Sequence, residues 1–152
     1  MSRPLRPADE NYAERVRESF ARQTVMSTIG ARLTRVAPGE VDIEMPYRDD
    51  LVQQHGFVHA GILAAIADSA CGYAAYSLMP AGAAVLSIEF KINLLAPARG
   101  ETLFARARVL RAGRNITSCL AEVSARHAGE ETLVATLLGT MMTVHERPGL
   151  HG

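Results

Sequence analysis

Twenty consecutive residues, Ala60 to Met79, carry a single charge, Asp68. A run of that length is long enough to cross a bilayer, so the first decision is between a membrane span and a buried helix. Its make-up favours the helix. Alanine and glycine dominate, Ser69 and Ser77 are polar, and a carboxylate at the bilayer centre costs about 2.5–3.5 kcal/mol. The run starts near His59 and stops at Pro80, which cannot continue a helix, and this predicts one element about 30 Å long. Such a helix needs cover on both flanks, and a sheet that curls around it supplies it.

The cover is legible on either side. Two alternating runs between Gly30 and Met45 meet at Pro38-Gly39 and predict a hairpin, followed by a polar segment from Pro46 to Val58. After the helix, Leu86–Leu94, Leu103–Arg111, Ile116–Arg126 and Leu133–Val144 alternate with period two. In the first of them Leu86, Ile88, Phe90, Ile92 and Leu94 are expected on one face, with Ser87, Glu89, Lys91 and Asn93 on the other. The connections Pro97–Gly100, Gly113–Asn115 and Ala128-Gly129 are short and predict antiparallel neighbours. Near the start, Tyr12, Val16 and Phe20 recur every fourth residue behind a candidate N-cap, Asp9, giving a short surface helix. The fold class is α+β, an antiparallel sheet with a long helix on one face. Residues 1–152 are expected to form one domain, with a frayed tail over 146–152.

Composition narrows the partners. The 152 residues hold 16 basic and 16 acidic side chains, 5% aromatics and no tryptophan. Fifteen of the basic residues are arginines, the single lysine is Lys91, and they form no cluster. A nucleic-acid partner is therefore not expected. Met1 to Glu10 lacks the apolar core of a secretory signal, so the cytoplasm is the expected location, with no membrane association. Cys71 and Cys119 stand 48 positions apart in apolar segments and read as reduced core thiols rather than a disulfide or a zinc site.

The chemistry is expected where the apolar helix breaks its own pattern. A buried carboxylate must be solvated, paired or protonated, so Asp68 needs a reason to be there. At 100° per residue, Gly61, Ala64, Ala65, Cys71, Gly72 and Ala75 share its face, while Ile62, Leu63, Ile66 and Tyr73 lie on the far side. A solvent-facing aspartate is the simpler alternative. The helix start, Gln53-Gln54-His55-Gly56-Phe57-Val58-His59-Ala60-Gly61, leaves backbone N–H groups open to a developing negative charge. His55 and His59 are candidate acid–base groups there, with capping the simpler role. Asp68 lies about 12 Å along the axis from Ala60 and about 180° round the helix from His59. The two ends cannot act on one atom within one chain, and a two-fold homodimer with antiparallel helices is the arrangement that would join them.

These same segments resemble the PaaI-like family of hotdog-fold acyl-CoA thioesterases. The likeness runs from Phe20-Ala21-Arg22-Gln23 to the last strand and is most specific in Gln53 to Gly61, in Ala67-Asp68-Ser69-Ala70-Cys71-Gly72-Tyr73-Ala74-Ala75, and in Ser87 to Pro97. It implies a sheet wrapped around a long helix, sheets joined edge to edge in dimers, and active sites at the interface. It implies that Asp68 is the catalytic base or nucleophile and that the Ala60 N–H polarises the thioester carbonyl. Gln53 would position the water or carboxylate, His59 would order the helix start, and Ser87 would orient water. The family usually reads His-Gly-Gly where this chain has His59-Ala60-Gly61, so a methyl lines the carbonyl site.

The expected reaction is acyl-CoA hydrolysis without metal or cofactor, by a homodimer or a dimer of dimers. Two alternatives stand beside it: a hotdog hydratase or dehydratase using Asp50 and His55, and a non-catalytic acyl-CoA binding module. Arg99, Arg111, Arg114 and Lys91 are candidates for the coenzyme A phosphates, with surface solvation as their simpler role.

Overall fold

A computed structural model describes residues 4–152. Helix α1 (Tyr12–Arg22) leads through Gln23 into a short α2 (Thr24–Ile29). Strands β1 (Arg32–Ala37) and β2 (Glu40–Pro46) form the expected hairpin, and a single 3-10 turn, Asp49–Leu51, precedes helix α3 (Ala60–Tyr76). Strands β3 (Ala84–Leu94), β4 (Thr102–Ala112), β5 (Ile116–His127) and β6 (Glu130–Val144) follow. All six strands join one antiparallel sheet in the order β1-β2-β4-β5-β6-β3.

Helix α3 lies against the inner face of that sheet, in contact with β2, β3, β4, β5 and β6. Leu63, Ile66, Ala67, Ala70 and Ala74 interleave there with Ile43, Met45, Leu103, Val123, Leu137 and Met141, all buried. Each large side chain so buried contributes about 1.5–3 kcal/mol, so this layer is the principal stabilising feature. Gly139 on β6 permits the close approach of helix to sheet. A Cβ there would stand 2.9 Å from Met141 Cε and 3.9 Å from Cys71 Cβ. Cys71 and Cys119 are free, buried thiols, as expected.

Several expectations are corrected. Helix α3 ends at Tyr76 rather than Pro80, which leaves no helix among the described residues long and apolar enough to cross a membrane. The α1 cap is Asn11, while Asp9 accepts from the Asn11 N–H at 3.0 Å and pairs with Arg15 at 3.0 Å. Strand β3 does not neighbour β4. The connection from Leu95 to Glu101 carries the chain across to β4, leaving β3 on the sheet edge beside β6. A span of seven residues reaches about 23 Å, ample to pass two intervening strands. The C-terminal segment folds back through an Arg147–Leu150 bridge and a turn at Gly149, and the Arg22 guanidinium donates to the Gly152 carbonyl.

The alternation of β3 is also broken. The pairing with β6 shifts between Ser87 and Glu89, so Ile88 is an extra residue in a β-bulge. A bulge shifts the phase of the strand by one. Ser87 therefore faces inward opposite Met141, and Phe90, Ile92 and Leu94 face inward opposite Gly139, Leu137 and Ala135. Leu86 turns outward, opposite Met142. Period two had placed Ser87 and Phe90 on opposite faces.

Candidate active site

The bulge aims Ser87 at the centre of α3, and its hydroxyl donates to the Asp68 carboxylate at 2.7 Å. The same oxygen lies 3.2 Å from Met141 Sδ. Asp68 is the one carboxylate in an apolar helix, half-buried on its open flank. Burial raises its pKa above the ordinary aspartate value, and the Ser87 hydrogen bond pulls it partly back by stabilising the ion. The carboxylate stands in a small polar cavity of about 160 Å³, with Ser19, Gln23, Ser69, Tyr73 and His151 in its wall. Gln23 donates to Ser69 Oγ at 3.1 Å and Ser19 meets the Tyr73 hydroxyl at 3.2 Å, so the short helices α1 and α2 fix this wall. The small-residue stripe around Asp68 is only partly open. Gly61, Ala64, Ala65 and Gly72 are accessible, whereas Cys71 and Ala75 are in the core.

The start of α3 is built differently. A tight loop brings Gln53 and Phe57 together through Gln53 N–H to Phe57 O at 2.8 Å, with Gly56 in the left-handed region at φ 83°. Tyr47 holds the loop from outside, donating its hydroxyl to Gly56 O at 2.9 Å. Val58 N–H then donates to Ala98 O at 2.9 Å and ties the loop to the β3–β4 connection. His59 is the N-cap, its Nδ1 accepting from the Gly61 N–H at 2.8 Å. That acceptor role puts the ring proton of neutral His59 on Nε2. Glycine is needed next to this cap, because a Cβ on residue 61 would stand 3.0 Å from His59 Nδ1.

The cap leaves one amide over. Gly61 N–H is taken by His59, and Ile62 and Leu63 N–H donate to His59 O. Ala60 N–H has no acceptor among the described residues and lines an apolar cavity of about 370 Å³ with Gln53, Phe57, Leu63, Leu94 and Pro97. Gln53 spends its carbonyl oxygen on the His55 N–H, leaving its amide nitrogen unbonded among the described residues. A hydrogen-bond donor at a helix N-terminus, in apolar surroundings, suits an anionic oxygen.

The two ends share no lining residue. Ser87 joins Asp68, and Gln53 joins Ala60, but the chain by itself does not bring the two pairs together. Asp50 and His55 do not form a pair either. Asp50 is held by Arg48 through two contacts of 3.0 and 2.6 Å, and His55 is exposed in the loop. The residues missed from sequence are Ser19, Gln23 and Ser69. Gln23 and Ser69 lay within the Phe20–Gln23 and Ala67–Ala75 segments of the resemblance but drew no role there, and Ser19 carried no signal beyond a place on a surface helix.

An antiparallel six-stranded sheet packed around one long central helix defines the hotdog class of protein. Residues 55–132 match the thioesterase superfamily model, and the chain belongs to that family. It is similar to a thioesterase family protein from Silicibacter pomeroyi, with 52% identity, a TM-score of 0.87, and coverage of 88% of this chain and 98% of that one. It is also similar to the phenylacetic acid degradation protein PaaI of Thermus thermophilus, here a mutant structure, at 27% identity and a TM-score of 0.69, covering 79% of this chain and 98% of that one. The E. coli PaaI protein shares the fold at 20% identity and a TM-score of 0.82, over 91% of this chain and 97% of its own.

Proposed function

We propose that this protein hydrolyses acyl-CoA thioesters to a free acid and coenzyme A, as a homodimer whose two sites each combine residues from both chains. The observation that carries the reading is Asp68, a carboxylate kept half-buried and aimed by Ser87 in a member of the thioesterase superfamily. A desolvated carboxylate is costly to the fold, and a chemical role accounts for its presence.

In this reaction Asp68 of one chain takes a proton from water, and the oxygen of that water attacks the thioester carbonyl. The developing oxyanion accepts a hydrogen bond from Ala60 N–H of the other chain, with Gln53 orienting the attacking group. Collapse breaks the C–S bond, and the proton held by Asp68 leaves with the thiolate as free coenzyme A thiol. Direct attack by the carboxylate, through an anhydride that water opens, uses the same residues. His59 acts by holding the helix start, and Ser87 by orienting Asp68. The Ala60 methyl narrows the carbonyl site. Neither route draws on a metal or cofactor.

Dimer formation is supported by β3. It is an eleven-residue edge strand whose Leu86, Ile88, Phe90 and Leu94 are 43%, 52%, 43% and 55% exposed. A long, apolar edge left unpaired in a monomer invites association, and pairing with its two-fold mate removes it. Antiparallel β3 strands would bring the Ser87 end of one chain to the Leu94 end of the other, which is the wall of the Ala60 cavity.

The test is thiol release from short, long and aromatic acyl-CoAs by the wild type and by D68N. Turnover that disappears in D68N, with the fold retained, is the expected result. Unchanged turnover in D68N would remove Asp68 from the mechanism. Tight binding without thiol release would replace the enzyme with a binding module.

A further inference from the structure

Arginine 99 is one of four cations that the sequence offers to the coenzyme phosphates, and its setting differs from the other three. It follows Pro97 and Ala98, both in the wall of the Ala60 cavity, and its guanidinium lies 4.8 Å from the centre of the Phe57 ring, which is another part of that wall. The Val58 N–H to Ala98 O bond fixes this stretch of backbone to the loop that leads into α3. Among the described residues Arg99 has no carboxylate partner, whereas Arg15, Arg32, Arg35, Arg48, Arg106 and Arg126 are all paired. Lys91 sits on the outer face of β3 opposite Leu138. Arg111 and Arg114 stand at the β4–β5 hairpin, the opposite end of β4 from Arg99.

We propose that Arg99, seated on Phe57 at the mouth of the apolar cavity, is the grip for the phosphates of the coenzyme, and so selects nucleotide-bearing thioesters over short ones. The proposal rests on the thioesterase reading of the same site. A guanidinium held over an aromatic ring by its charge keeps N–H groups free for a ligand, and its planar fork matches two phosphate oxygens. The cavity beneath it is lined by Phe57, Leu63, Leu94, Leu95 and Pro97, with Gln53 as its polar side chain. It suits the slender, uncharged arm that joins the thioester to the nucleotide. Phe57 holds the side chain in place before the substrate arrives, which lowers the entropy lost on binding.

The experiment compares an acyl-CoA with the same acyl group on pantetheine, which has the arm and no phosphates, using wild type, R99A and R99K. In R99A the KM for acyl-CoA is expected to rise about tenfold, the loss of one charge-assisted phosphate contact, while the KM for acyl-pantetheine moves less than about twofold. R99K, which keeps the charge but not the planar fork, falls between. Equal changes on both substrates, or no change on either, would overturn the assignment, as would a selective rise in R111A or R114A without one in R99A. If the wild type turned over neither thioester, the hydrolase reading would fall. Calorimetry of coenzyme A and pantetheine with wild type and R99A would then still decide the grip, because only coenzyme A binding is expected to weaken.

Discussion

The two ends of α3 solve opposite electrostatic problems. At its start, an amide with no acceptor among the described residues stands by a largely apolar cavity, where it is free to donate to a developing oxyanion. At its middle, a carboxylate stands in a wall of hydroxyls and amides, where burial raises its pKa and the Ser87 hydroxyl partly offsets that by bonding the ion. Neither end is a complete site. One lacks a base, the other lacks an oxyanion donor, and about 12 Å of helix separates them. The difference teaches that one helix can hold two unlike environments at once, and in the proposed dimer each would be completed by the other copy of the chain.

The sharpest way to break the comparison is to neutralise the polar end. D68A is expected to lower kcat by about three orders of magnitude, read as thiol release. D68N should do the same and raise Tm near neutral pH. Asp68 has a raised pKa in the folded chain, so its contribution to stability is present at low pH and is lost as pH rises through that value. At neutral pH the buried ion is a cost, which the amide removes.

At the apolar end, Q53A is expected to lower kcat by about 10–100-fold without moving the pH at which activity begins, since Gln53, unlike Ser87, makes no hydrogen bond to Asp68 within the chain. A shift in that pH would mean that Gln53 touches the base directly. S87A has a smaller effect on kcat, about severalfold, with a distinct signature. Removing the donor that stabilises ionised Asp68 raises its pKa further, so the acidic limb of the kcat–pH profile moves to higher pH. An unmoved limb would separate Ser87 from the titration.

The smallest effect serves as a control. Glu131 is held down to a pKa of about 2 by Arg106 and Arg126, yet it lies on the outer face of the sheet. E131Q is expected to leave kcat unchanged. Its lowered pKa stabilises the fold above the unfolded value of 4.5 and loses that contribution as pH falls toward about 2. The loss is small and shrinks in salt, because the group is exposed. It is measured as Tm against pH.

Much of this was legible in the sequence because the signals were local. Asp68 stood out as one charge in twenty residues, and its separation from Ala60 followed from helix geometry alone. The hairpin at Pro38-Gly39 and the last three strands came from period two and turn residues. The facing of Ser87 was not legible, because a one-residue bulge reverses alternation without any mark in composition. Nor was the edge position of β3, since a seven-residue connection can either turn back or cross two strands. Helix α2 is six residues long with no side-chain cap, too short to show a period. The folding back of 147–152 brings Gly152 to Arg22, 130 positions away, a contact that no local pattern announces.

The central claim is that each site draws Asp68 from one chain and Ala60 with Gln53 from another. Mixing unfolded D68N and Q53A chains and refolding them together tests it. Half of the dimers formed would be mixed, each with one site in which both residues are intact, so activity is expected to recover to about a quarter of the wild-type value. Activity no higher than the average of the two variants, with mixed dimers present, would place the whole site within one chain and contradict the account.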